Sequence, residues 1–536
     1  MYRTFREFGG MIPVKDGYTS FGYADNAENI DLRSGIIKSV KSPLQIATGY
    51  STTADSLFKF NDQWIADNEY HIDWLRDNIN LHIYTDKASS GKLQLQIGAL
   101  SDVLGLDQPA NPTTSTAVGT VSGAYSYVVV WEREMGDYTD VSQPNQTPVT
   151  LELASQQTTI NRPALPTSAY VVNWKIYRTA NLGSNYYLLA TVPVGTTTYL
   201  DDGTITDDDL IITANLLPSY YTSTRVNELG IDIFWQPPIE DLDGIAGPMN
   251  GSLYAWKDDK ILISEPGYPQ AWPSQYVVSV GAKVKRIIVS ELYATVLLEN
   301  GSARLDFTEP EIALPNRTTG NEGNVNPRAA VLTPIGTMYL ADSGIALDNG
   351  STNEIISNDG FDEKWFKENV DNNSASMNFM DDYLYIFHST KTILIDNSVV
   401  KKNKITMLDI IVQGSYQDHV TGDLYVLSNG TVYKLYGSTE ITETSTWKWK
   451  SGKIISPGGN RIWDPNIDVK GSGTIIGRLY LDGVQVGTDF TFDWSTEFGR
   501  YLQCPDGTDG REFQFELEGS LNAEVSNIRF EVAGWQ

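Results

Sequence analysis

The sequence predicts an all-β fold, a β-propeller interrupted by one β-sandwich and followed by another. The first observation is a repeat. Five short segments look like copies of one hairpin: Gly251-Ser-Leu-Tyr-Ala-Trp, Glu291-Leu-Tyr-Ala-Thr-Val, Gly336-Thr-Met-Tyr-Leu-Ala, Asp382-Tyr-Leu-Tyr-Ile-Phe and Gly422-Asp-Leu-Tyr-Val-Leu. Their tyrosines, Tyr254, Tyr293, Tyr339, Tyr385 and Tyr425, stand 39, 46, 46 and 40 residues apart. A period near forty built of strands and tight turns is that of a four-stranded propeller blade. One blade cannot bury both of its faces, so the copies must pack on one another. The second observation is a gap of about a hundred residues in which the repeat is absent but alternating strands continue. The third is a change of character after residue 444.

Composition agrees. The 29 tyrosines and 45 glycines favour strands and turns over helices. A chain of 536 residues exceeds the size at which one core keeps growing. The one helix-like stretch is short, around Asp362-Glu-Lys-Trp-Phe-Lys-Glu-Asn.

In chain order, residues 1–45 read as an irregular N-terminal arm, through Phe8-Gly-Gly-Met-Ile-Pro and Ala24-Asp-Asn-Ala-Glu-Asn-Ile-Asp-Leu. Residues 46–111 form the first propeller part, with strands at Leu57-Phe-Lys-Phe, Gln63-Trp-Ile-Ala and Leu81-His-Ile-Tyr-Thr. Residues 112–225 are the inserted sandwich. Its Trp174-Lys-Ile-Tyr-Arg, Leu188-Leu-Ala-Thr-Val and Tyr199-Leu-Asp-Asp strands resemble a fibronectin type III domain. Residues 226–443 form the main propeller part, and six to seven blades are expected in all. Asn250-Gly251, Asn300-Gly301, Asn349-Gly350 and Asn429-Gly430 mark hairpins, because Asn-Gly accepts the positive φ angles of a type I′ turn. Residues 444–536 form the C-terminal sandwich, with a hairpin at Arg478-Leu-Tyr-Leu-Asp-Gly-Val-Gln-Val.

Charge and cysteine count narrow the function. With 67 acids against 39 bases, the net charge is −28. Such a chain lacks the general phosphate-neutralising surface of a nucleic-acid binder. A single cysteine, Cys504, excludes an intramolecular disulfide, and without a nearby base it reads as an inert thiol. The N-terminus has no apolar signal segment, and no eighteen-residue apolar run predicts a membrane-spanning helix.

No catalytic, cofactor-binding or metal residue emerges. His71, His82, His388 and His419 are scattered and read as strand or loop histidines. Phosphate-loop, dinucleotide and nucleophile-elbow motifs do not occur. Asp207-Asp-Asp and Glu240-Asp-Leu-Asp-Gly could offer oxygens to Ca²⁺, but neither matches an EF-hand loop, and solvated acidic loops are the expected reading. The five repeat tyrosines share one position and read as core rather than as a sugar-binding surface. The expectation is a protein without enzymatic activity and without cofactors.

The order of parts resembles the tail nozzle proteins of short-tailed bacteriophages, also called tail tubular protein B or tail stabilisation proteins. The resemblance rests on Phe8-Gly-Gly-Met-Ile-Pro with Ala27-Glu-Asn-Ile-Asp-Leu-Arg-Ser-Gly, on Ile263-Ser-Glu-Pro-Gly-Tyr-Pro-Gln-Ala-Trp-Pro, and on Val289-Ser-Glu-Leu-Tyr-Ala-Thr-Val. It also rests on Trp449-Lys-Ser-Gly-Lys, Tyr480-Leu-Asp-Gly and Glu516-Leu-Glu-Gly near the C-terminus. It implies a structural virion protein, a homo-hexameric ring at the distal end of the tail. That ring would dock on an adaptor ring, meet tail fibres or spikes, and pass DNA without binding it specifically. Subunit interfaces are then expected on the propeller flanks and on the arm, so trimming residues 1–40 should harm assembly more than folding. Two rival readings are a propeller glycoside hydrolase or depolymerase and a glycan-binding adhesin.

Overall fold

The computed structural model describes residues 2–5, 24–32, 36–76, 78–87, 89–217, 236–306, 313–357, 361, 363–396, 404–437, 446–471, 473–492, 509–520 and 523–533. Phe8–Pro13 and Cys504, singled out above, lie outside the described residues. The fold is all-β, a β-propeller with inserted and C-terminal β domains. The chain divides into two compact units. One holds Met1–Asn68, Glu299–Ser302 and Thr318–Gln536; the other holds Glu69–Leu298 and Ala303–Arg317.

The repeats fold as four-stranded sheets of consecutive strands. The first runs His71–Arg76, Ile79–Tyr84, Gln94–Ile97 and Leu100–Val103. The second runs Gly244–Met249, Ser252–Lys257, Lys260–Ile263 and Val277–Ser279. The third runs from Val284 to Arg317, the fourth from Ala330 to Ile355 and the fifth from Ser376 to Leu408. Each repeat hairpin supplies the two central strands of its sheet. The five tyrosines are not equally buried. Tyr254, Tyr339 and Tyr385 are wholly enclosed, whereas Tyr293 and Tyr425 are half-buried. Tyr293 instead carries the Arg304 guanidinium 4.4 Å from its ring, and Tyr425 packs on Trp64 at 4.7 Å.

The sixth sheet departs from this rule. Gly414–Gln417, Leu424–Ser428 and Thr431–Lys434 are completed by Leu44–Thr48, which pairs antiparallel with the last of them. The strand that opens the first propeller part in the sequence therefore closes the last blade. The next hairpin, Ser56–Phe60 with Gln63–Asp67, stays two-stranded. Against the six to seven blades expected, there are, among the described residues, five separate four-stranded sheets, the four strands of Ser376–Leu408 within a larger sheet, and this hairpin.

Of the four Asn-Gly pairs, two make the type I′ geometry. Asn250 and Gly251 have φ of 49° and 76°, and Asn429 and Gly430 have 47° and 69°. In the other two only the glycine is positive, Gly301 at 132° and Gly350 at 86°. Those turns are held differently: Asn349 Oδ1 accepts from the Ser351 and Thr352 amides.

The inserted domain is one six-stranded sheet around Thr113–Met135. That strand pairs first with Val149–Asn161 and then with Val171–Thr179, with register breaks between Val118 and Gly123. Its odd-numbered Tyr125, Tyr127, Val129 and Trp131 enter a core with Leu153, Ile160, Trp174 and Leu189. Its even-numbered Val128 and Val130 enter another with Tyr177 and Leu217. Both faces are buried, which explains its near-continuous apolar run.

The arm differs from expectation. Residues Ala24–Glu28, Ile30–Asp31 and Ile37–Ser39 are strands. Ala24–Glu28 pairs antiparallel with Thr446–Ser451 of the C-terminal domain and meets Lys404–Leu408 of the fifth blade in parallel at Glu28 and Met407. Tyr2–Phe5 pairs with the last strand, Glu524–Ala533. The C-terminal strands, the arm and the fifth blade thus form one 14-stranded sheet. Ala24, Ala27, Ile30 and Ile37 are fully buried in its core beside Trp449, Phe515 and Ile528. An arm that pairs as strands and buries these side chains belongs to the fold, so the expectation of an irregular arm over residues 1–45 is corrected.

Candidate functional site

A polar, enclosed site lies where the inserted domain meets the first sheet. Arg133 sits on the long strand of the insert and is fully buried. Its Nε donates to Asp140 Oδ1 at 2.8 Å and its NH2 to Asp140 Oδ2 at 2.5 Å. Its NH1 donates to Asp102 Oδ2 at 3.0 Å and to the Val103 carbonyl at 2.6 Å, both on the first sheet's last strand. Ser168 Oγ donates to the same Asp102 oxygen. Burial alone would push the guanidinium towards its neutral form, but Asp140 and Asp102 outweigh that and its pKa stands above the ordinary value. A shallow cleft opens beside this group, lined by Lys92, Asp107 and Thr167 among others. Lys92 is itself paired, 3.5 Å from Asp107 and 3.6 Å from Glu240. Four guanidinium hydrogen bonds spent on the protein make this a mount for the insert.

A second buried arginine organises the insert's far end. Arg178 NH1 donates to Asp201 Oδ2 at 2.7 Å, and the Tyr127 hydroxyl donates to that oxygen at 2.8 Å. Arg178 NH2 reaches Asp207 Oδ1 at 3.0 Å. Burial, then the Asp201 charge, pushes the Tyr127 phenol far above its usual range. Asp207 opens helix α1 (Asp207–Thr213), so the Asp207-Asp-Asp run is no loop. Thr206 Oγ1 accepts from the Asp209 amide while Asp209 Oδ2 accepts from the Thr206 amide, a capping box. Three acids in a first helical turn face the positive end of the helix dipole. The Thr206 to Asp209 spacing was the signal for this helix.

The other acidic stretch, Glu240–Gly244, is likewise structural. Leu242 is buried in the core of the first and second sheets, and the Asp241 and Asp243 amides donate to the Gly91 and Trp256 carbonyls. Among the described residues no three His, Cys, Asp or Glu side chains assemble as a metal centre. His419 lies in the turn after Gly414–Gln417. His388 is buried in the turn after Tyr383–Phe387, its Nδ1 3.1 Å from Thr390 Oγ1. The structure brings only His71 and His82 together, on adjacent strands of the first sheet. Their eleven-residue separation carries no local signal of this pairing, which comes from the strand register. Among the described residues no helix is long and apolar enough to cross a membrane.

No protein-family profile matches the chain, and no curated protein does. Among solved structures, BamB from Moraxella catarrhalis is similar over 74% of this chain and 99% of its own, at 11% identity and a TM-score of 0.30. Apo AztD from Citrobacter koseri covers 74% of this chain and 99% of its own, at 10% identity and a TM-score of 0.25. YCF48 bound to D1 peptide covers 63% and 98%, at 11% identity and a TM-score of 0.26.

Proposed function

We propose that the protein is a structural component of a short phage tail, the nozzle ring through which DNA leaves, docked on an adaptor ring. The observation that carries this reading is the order of parts along the chain: arm, propeller interrupted by a sandwich, and terminal sandwich, with the motifs quoted above. The net charge of −28 supports it, because an acidic wall repels phosphate and does not hold DNA in transit. The tying of the arm to the C-terminal strands and a blade supports a rigid scaffold. In this reading the protein acts as a homo-hexamer in the virion and catalyses nothing.

Electron microscopy of the purified protein, alone and with its tail partners, tests the proposal. Six-fold rings with a lumen lined mainly by Asp and Glu are expected. A monomer that stays monomeric with its partners, or a lumen lined by Lys and Arg, would overturn it. Release of reducing ends from host surface polysaccharide would instead support the hydrolase reading.

A further inference from the structure

We propose that Asp348-Asn349-Gly350 is a self-modifying turn. In it the Gly350 nitrogen displaces ammonia from the Asn349 side chain, and water opens the resulting succinimide to isoaspartate or aspartate. The turn leaves the third strand of the fourth blade, Ile345–Asp348, and leads into the last, Asn353–Ile355. Asn349 is exposed, so water reaches it, whereas Asp348 is fully buried.

The parts of an acyl-transfer site meet here. The nucleophile is the Gly350 nitrogen, and glycine has no Cβ to shield it. Its N–H donates to Asp348 Oδ1 at 2.6 Å, so a carboxylate is in place to take the proton. Asp348 Oδ2 has no hydrogen-bond partner among the described residues, so the group's capacity to accept is not spent there. The electrophile is the amide carbon of the Asn349 side chain. Its Oδ1 accepts from the Ser351 amide at 3.0 Å and from the Thr352 amide at 2.9 Å. Those two donors fold the side chain back over the intervening Gly350 nitrogen. They also face the oxygen on which negative charge develops as the nitrogen adds.

The bond formed joins Gly350 N to Asn349 Cγ, and the bond broken is Cγ–Nδ2. The Gly350 proton passes through Asp348 to the departing nitrogen, which leaves as ammonia. Water then adds to either carbonyl of the ring. Opening at Cγ restores the main chain with aspartate at 349. Opening at the backbone carbonyl routes the chain through the side chain as isoaspartate. Either product adds a negative charge. Isoaspartate also lengthens the main chain beside Ser351, whose carbonyl accepts from the Thr319 amide at 3.0 Å, so that contact should loosen.

The other Asn-Gly pairs supply the comparison. Asn250 and Asn429 follow Met249 and Ser428, which bring no carboxylate. Both residues of each of these pairs are held in left-handed hairpin turns. In an unfolded chain all the pairs share the same unshielded glycine, and the advantage of Asn349 disappears.

The test ages the full native chain at neutral pH and follows each asparagine by peptide mapping with mass spectrometry. Asn349 should react first, roughly tenfold or more ahead of Asn250 and Asn429. The same chain in guanidinium should lose that lead. Asp348→Asn keeps the side-chain shape and should slow Asn349 by roughly tenfold or more, since a positioned base contributes about 10²–10⁴-fold. A folded chain in which Asn349 reacts no faster than Asn250 and Asn429 would overturn the proposal. So would a lead that survives guanidinium, or an unchanged rate in an Asp348→Asn chain with the wild-type melting profile.

Discussion

Asn29 and Asp409 clasp each other across 380 residues of chain: Asn29 Nδ2 donates to Asp409 Oδ2 at 2.7 Å, and the Asp409 amide donates back to Asn29 Oδ1 at 2.7 Å. The Asn29 amide also donates to the Met407 carbonyl at 2.7 Å, and Asn29 holds a φ of 55°. Asparagine tolerates that left-handed backbone better than most residues. Asn29→Ala should therefore lose these side-chain bonds, with the one Nδ2 makes to the Thr446 carbonyl, and strain the backbone, at about 1–3 kcal/mol. Asn29→Gly keeps the backbone and isolates the side-chain share. A drop in melting temperature for both variants, larger for alanine, is expected. Deleting residues 1–40 should do much more, leaving poorly soluble or partly folded chains; a soluble truncation melting like the wild type would contradict the role assigned to the arm.

Arg133→Met should leave Asp102 and Asp140 buried without their cation. Breaking a buried pair by removing one partner costs about 3–5 kcal/mol. The loss should appear first as faster proteolysis within residues 113–201, measured by limited digestion and mass spectrometry. Cleavage there at the wild-type rate would show that the mount is dispensable.

Gly519→Ala tests a close approach in the C-terminal domain. A Cβ at Gly519 would lie 2.1 Å from the Trp447 ring, which is fully buried on the neighbouring strand. Neither the indole nor the paired strands can move far, and overpacking of this kind costs about 1–3 kcal/mol. Thermal unfolding followed by tryptophan fluorescence should show it. An alanine variant as stable as the wild type would mean that the strand can shift away from the ring.

His388 predicts an acid sensitivity. Burial, then the Lys391 charge, holds its imidazole below the ordinary 6.5, with Asp371 opposing. The unfolded chain thus takes up this proton before the folded one as pH falls. The contribution is fully present above about pH 6.5 and is lost as pH falls through the lower folded value. His388→Gln should have a flatter dependence of melting temperature on pH below that point. Equal slopes in the two proteins would assign the sensitivity elsewhere.

What the sequence discloses is local. The five hairpins show because their strands are separated only by their own turns, and the Asp482-Gly483 turn shows for the same reason. The Asp362–Asn369 stretch yields helix α2, Glu363–Asn369. What stays hidden needs a partner far along the chain. Ala24–Glu28 reads as irregular because its neighbours are Thr446–Ser451 and Lys404–Leu408. Asn300-Gly301 was read by composition, but its neighbours impose another turn. At Arg133 and at the two facing histidines, the chemistry comes from residues brought side by side only by pairing and packing.

The last blade has a consequence for how the chain is made. Leu44–Thr48 leaves the ribosome long before the strand it must join, Thr431–Lys434. Until then its hydrogen-bonding edge stays open, and its Leu44 and Ile46 side chains, exposed even in the finished protein, offer apolar surface to any passing strand. Pairing across so much sequence also slows folding, since a large loop must close before the contact is rewarded. Yields of recombinant protein should therefore rise with slower translation at low temperature, and nascent chains stalled before residue 431 should be the ones that holdase chaperones retain.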